Sequence, residues 1–215
     1  MSDSLTILIS KIQAFHGDNG TIFTTETCTA AVRAALKTFN LYAPVNAGTL
    51  ITGANDQYEY ELSDEDPKAI FIADILLKGN SGESDVSLTF DQYNEDERLF
   101  FRLREPVTSS DTLIARYTIP HTVNGLDSEV ESTLPAWQDP ILVIGAAAQA
   151  VMIRARAKVE SINLSKDQSD NYRELYNQIQ MDFIQELKSI TKTKLVAVGA
   201  PDARAWNDEY HSWEQ

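Results

Sequence analysis

Histidine, cysteine and clustered carboxylates are the side chains that most readily hold metals or build nucleophiles, and in this sequence they are few and scattered. The histidines His16, His121 and His211 fall in three separate segments, none with a second His or a Cys at ligand spacing. No zinc or other metal site is expected. His121 follows Pro120 at the end of a strand-like run, where a single imidazole reads as a hydrogen-bonding turn residue, because His catalysis needs a partnered nucleophile or acid. Cys28 is the sole cysteine, so no intramolecular disulfide forms, and it falls on the apolar side of a predicted helix. Glu61, Asp64, Glu65 and Asp66 crowd one turn without the alternating ligands and central glycine of a calcium loop, which predicts a solvated acidic turn. No glycine-rich phosphate loop, dinucleotide fingerprint or nucleophile elbow occurs. The residues predict neither catalysis nor a cofactor.

Packing residues carry more information. Gly145, Ala146, Ala147 and Ala148 lie in a run of small and apolar residues ending at Ala150, and Gly145 and Ala148 in particular allow another backbone to approach closely. The approaching partner is either another helix of the same chain or a second subunit. Trp206, Tyr210 and Trp213 recur at i, i+4 and i+7 in a Pro-bounded tail, which reads as a set of docking anchors or as a tail folded back on its own helices. Tyr58, Tyr60, Phe100 and Phe101 are either an aromatic platform, suited to a ligand, or sheet core.

The elements that would position these residues follow from hydrophobic period. Leu5, Leu8, Ile9, Ile12 and Phe15 have helical spacing, broken by His16 to Gly20. Thr24 or Thr25 caps a second helix with the stripe Cys28, Ala31, Val32, Ala35, Leu36 and Phe39. From Ala47 the period changes to 2, and alternation continues to about Val123, with Ala69 to Leu77 and Arg98 to Arg104 more continuously apolar, as for strands covered on both faces. Asp139 and Pro140 predict an N-cap and first turn for a third helix. Ser165 to Gln168 has capping-box spacing ahead of the stripe Tyr172, Leu175, Tyr176, Ile179, Phe183, Leu187 and Ile190, a fourth helix. The predicted class is α+β: a four-helix bundle with an antiparallel β-sandwich or barrel inserted between helices 2 and 3, and an extended C-terminal tail. The expected segments are a helical hairpin at 1–46, the β-domain at 47–134, helices 3 and 4 at 135–192 and the arm at 193–215.

Composition narrows the partners. With 215 residues and 43% hydrophobic content the chain can bury a real core. Its 32 acids against 18 bases, a net charge of -14, argue against gripping phosphate backbones or anionic membranes. The apolar core of the third helix is about 14 residues, short of the ~20 that span a bilayer, and no basic-then-apolar leader opens the chain. A soluble, unsecreted protein is expected.

The stretch Ala115 to Ala157 resembles the junction between the inserted β-domain and third helix of tailed-bacteriophage head-tail adaptor (neck, or connector) proteins. Tyr117, His121 to Leu126, the Thr133-Leu134-Pro135 loop, and the run Gly145 to Ala150 followed by Arg154 and Ala155 carry the resemblance. It implies a structural virion protein, assembled in the host cytoplasm, whose subunits form a dodecameric ring in the neck. That ring would join the portal protein to a downstream neck or tail-terminator protein and continue the DNA channel, with DNA passing without sequence-specific contact. The arm would then bind the portal through Trp206, Tyr210 and Trp213, and Gly145 and Ala148 would serve subunit packing. The alternative is a β-sandwich component of a phage tail that binds a ligand or receptor.

Overall fold

The computed structural model describes residues 2–62, 69–79, 84–95, 98–160 and 166–197. Among them lie four α-helices and two antiparallel sheets, an α+β protein. The chain divides into two compact units, Met1–Ala43 with Thr122–Gln215, and Pro44–His121.

In the first unit, α1 (Leu5–Phe15) buries Leu8, Ile9 and Ile12. Helix α2 (Thr25–Tyr42) starts where the Thr27 N–H donates to the Thr24 hydroxyl at 3.3 Å, and it buries the stripe from Cys28 to Phe39. Helix α3 (Asp139–Glu160) packs against α1, α2 and α4 (Lys166–Ala197). Together with the preceding turn, α3 is long and apolar enough to cross a membrane by length and composition, exceeding the apolar stretch expected from the sequence. Its apolar side chains lie in the core of the unit: Leu142, Ala146, Ala148, Ala150 and Val151 are fully enclosed. From α4 come Ile179, Phe183, Leu187 and Ile190, whereas Leu175, expected on the same stripe, is exposed. Helix α4 runs past 192 to Ala197, and no Gly or Pro interrupts the sequence before Gly199.

Residues 122–134 belong to this helical unit because Val123, Leu126 and Leu134 insert into its core. Their backbone is held locally: Thr122 N–H donates to Thr133 Oγ1 at 2.8 Å, and Asn124 N–H to Ser132 Oγ at 2.9 Å. The Asn124 carbonyl accepts the first amide of α1, Leu5 N–H, at 2.9 Å. Asp127, in the left-handed region at φ 52°, holds Arg33 of α2 through a forked ion pair.

The second unit carries seven strands among its described residues. β1 (Val45–Thr52), β7 (Thr112–Ile119), β3 (Phe71–Leu77) and β4 (Val86–Ser87) form one sheet in the order β1-β7-β3-β4. β2 (Glu59–Glu61), β6 (Arg98–Leu103) and β5 (Phe90–Glu95) form the other, in the order β2-β6-β5. No sheet closes into a barrel among the described residues. The core here is Tyr60, Leu62, Ile72, Ile75, Leu99, Phe101, Leu103, Val107, Leu113 and Ala115. β6 was expected to be covered on both faces but alternates: Leu99, Phe101 and Leu103 are buried, while Arg98 and Arg102 are exposed. Those arginines face Glu61 and Glu59 on β2, and the Arg98–Glu61 pair closes to 3.0 Å.

Candidate functional site

The small-residue run of α3 is the feature the sequence singled out, and its geometry is decided by one contact. A methyl group placed on Gly145 would lie 2.6 Å from carbons of the Phe183 ring on α4. Phe183 is fully buried, so its ring has no room to retreat. The close approach permitted by Gly145 is therefore made by α4 of the same chain. Ala148 is also fully buried within the chain. Neither residue leaves side-chain surface for direct contact with a second subunit; small residues serve both uses, and only the position of Phe183 separates them.

The turn after α1 brings His16 and Asp18 together above Cys28. His16 is half-buried, its ring stacked on Phe23 at 4.2 Å and edge-on to Phe15 at 5.3 Å. Its Nε2 lies 3.1 Å from the Ala147 carbonyl oxygen of α3, and because that oxygen only accepts, Nε2 carries the proton. Asp18 closes the turn by accepting the amides of Phe23 at 2.8 Å, Ile22 at 3.1 Å and Gly20 at 3.2 Å. Cys28 sits below, with Sγ 3.7 Å from the Phe23 carbonyl, and burial pushes its thiol up to about 11. A protonated, enclosed thiol is a poor nucleophile, and the His16 N–H is committed to a carbonyl. The cluster works as a brace between α1, α2 and α3. The sequence placed His16 and Cys28 in separate elements, and the link is Asp18, whose short side chain folds the intervening turn back onto Phe23.

This brace makes a testable pH dependence. Desolvation lowers the His16 pKa below 6.5, so the unfolded chain takes up the proton first, and stability falls as pH drops from 6.5 through the folded value. The amide of Phe23, ahead of those of Ile22 and Gly20, holds the Asp18 carboxyl below 3.8, so a second loss begins as pH falls through that range. Denaturation at a series of pH values should show both steps. His16→Phe should remove the first and leave the second, and a His16 midpoint at or above 6.5 by NMR would refute the assignment.

Asp139 departs from its expected role. The backbone turns helical earlier, in a 3-10 turn at Ala136–Gln138, and Asp139 itself is helical at φ -53° and ψ -44°, so it is not the N-cap. Its buried carboxylate instead accepts Ser2 Oγ at 2.6 Å and Asp3 N–H at 2.8 Å, tying the N-terminal segment to the start of α3. A negative charge there also suits the helix dipole. Pro135 sits ahead of the turn in extended conformation, which moves the helical start upstream of Pro140.

In the strand unit the four aromatics do not share a surface. Tyr60 and Phe101 are stacked at 5.3 Å inside the core, Phe100 points to the opposite face against Tyr93 at 5.4 Å, and Tyr58 is exposed. His121 is buried. Glu61 is paired with Arg98, while Asp64, Glu65 and Asp66 lie outside the described residues, as do Trp206, Tyr210, Trp213 and His211. Among the described residues no group of three or more His, Cys, Asp or Glu is placed to hold a metal. Compared with known proteins, the chain matches no family model and no curated protein.

Proposed function

We propose that this protein acts by assembly, as a head-tail adaptor of a tailed bacteriophage: a ring-forming subunit, dodecameric by resemblance, that joins the portal to the downstream neck or tail component. The observation that carries the reading is the order of elements: two helices, then a strand unit with its own core, then two helices that share the core of the first pair. In this reading the two pairs of helices make a four-helix bundle, and the strand unit is a β-sandwich inserted between α2 and α3. The use of His16, Asp18 and Cys28 in packing fits a structural role as well. The acidic balance suits a channel that DNA crosses without sticking. In this reading Trp206, Tyr210 and Trp213 seat in clefts of the portal, each an anchor worth on the order of 2 kcal/mol or more.

Electron microscopy of the purified chain with and without its portal tests the proposal. A ring docked coaxially on the portal is expected, and removal of residues 201–215 should abolish docking while the helical signal persists. Equal portal affinity for the full-length and shortened chains would remove the arm from this role, and the absence of any coaxial complex would defeat the reading.

A further inference from the structure

Sheet edges are where a folded chain offers unpaired backbone, and the edges of this protein are not treated alike. β2 is three residues long and carries Glu59 and Glu61, and β5 carries Asp91 and Glu95. The β3/β4 side is irregular: the register shifts between Ile72 and Asp74, Ile72 N–H donates to the Gln92 side-chain oxygen at 2.9 Å, and Leu88 N–H donates to Ile75 O at 2.8 Å. Charge, shortness and bulges are the usual protections of an edge. β1 has none of them. It pairs with β7 through eight residues in unbroken register, from Val45↔Ile119 to Thr52↔Thr112. From Ala43 to Asn55 there is no ionisable residue in a chain of net charge -14.

The direction of each backbone group follows from the hydrogen-bond period. Gly53 N–H donates to Asp111 O at 2.9 Å, so Ile51, Thr49, Ala47 and Val45 also aim at β7, two residues apart. Asn46, Gly48, Leu50 and Thr52 therefore point their N–H and C=O groups away from the sheet, and all four are exposed. We propose that this edge is a self-pairing surface: a second copy of the chain adds its own β1 antiparallel across a two-fold axis at Thr49, joining two four-stranded sheets into one.

The register is dictated by the sequence. With Thr49 opposite Thr49 of the second copy, Asn46 faces Thr52 and Gly48 faces Leu50, so every outward N–H and C=O of β1 finds a partner. Leu50, exposed to 61%, then lies over a residue without a side chain, and Asn46 and Thr52 form a polar pair. A shift of two residues one way sets Thr52 against Pro44, which has no N–H. The other way sets Asn46 against Ala54, whose N–H already donates to the Tyr60 hydroxyl at 3.3 Å. Two acidic copies repel wherever their charges meet, and this uncharged strand is where they can approach. A two-fold contact closes on itself, so the pair is separate from the proposed ring and does not rest on that reading.

The test uses the full chain. Sedimentation over a wide concentration range should show a monomer–dimer equilibrium, and Leu50→Lys should weaken it about tenfold or more with circular dichroism unchanged. Thr49→Cys should cross-link to a dimer on mild oxidation, because non-hydrogen-bonded pairs bring Cα atoms to ~4.5 Å, within disulfide range. The wild type, with Cys28 buried, and Ser87→Cys on the far edge should not. A wild type that stays monomeric, open polymers without a discrete dimer, or Thr49→Cys cross-linking no faster than Ser87→Cys would overturn the proposal. Dimerisation undiminished by Leu50→Lys would place the contact elsewhere and defeat the proposal, whereas loss of the dimer in a variant that still forms rings on the portal would uphold the β1 pair as separate from the adaptor reading.

Discussion

Replacing Gly145 by alanine is expected to destabilise the helical unit by about 1–3 kcal/mol, and replacing it by leucine by more. Helix propensity alone predicts the reverse, since alanine is favoured over glycine inside a helix by about 1 kcal/mol. Sterics win here because the new methyl would fall 2.6 Å from the Phe183 ring, and both helices are held by fully buried neighbours such as Leu142 and Leu187. The partner is tested by combination. Phe183→Leu leaves a void of its own, but joined to Gly145→Ala it gives the methyl room, so the two should cost less together than the sum of their separate effects. A coupling of about 0.5–3 kcal/mol in chemical denaturation would carry this account. Gly145→Ala that stabilises the protein, or a strictly additive double variant, would show that α3 and α4 do not meet in this way.

Residues whose role is local were legible in the sequence. The stripe of α2 and its Thr24 cap, the α4 positions Ile179, Phe183, Leu187 and Ile190, and the alternation of β7 emerge as expected from period and capping chemistry. Roles set by distant contacts were not. Gly145 advertises a close approach without saying that Phe183 makes it. Asp139 reads as an N-cap until Pro135 is seen to begin the helical turn upstream, which leaves the carboxylate for Ser2 and Asp3. His16 reads as a helix terminator, and only the position of Ala147 reveals its hydrogen bond. β6 reads as covered on both faces because Phe100 interrupts the polar side, but that ring stacks on Tyr93 between the exposed arginines. The free edge of β1 was likewise hidden, because strand order belongs to pairing rather than to composition.

Phe101→Ala is expected to unfold the strand unit while leaving the helical unit intact. Phe101 is fully buried, stacked on Tyr60 and edge-on to Phe90 at 6.5 Å, and its loss should cost about 3–5 kcal/mol. That is a large share of the stability a unit of this size possesses. The damage should stay local because the two cores have no residue in common: one draws on positions up to Ala43 and from Val123 onward, the other on Tyr60 to Ala115. The chain also enters and leaves the strand unit on paired neighbours, Val45 and Ile119, so their strand ends lie side by side in the folded unit. Hydrogen exchange followed by mass spectrometry should show peptides from residues 44–121 losing protection in Phe101→Ala while those from α1 to α4 keep theirs. Gly145→Leu should give the opposite pattern. Loss of protection throughout the chain in either variant would mean that the two units fold as one cooperative body, and in Phe101→Ala it would mean that the helices depend on the strands for a stability their own core does not supply.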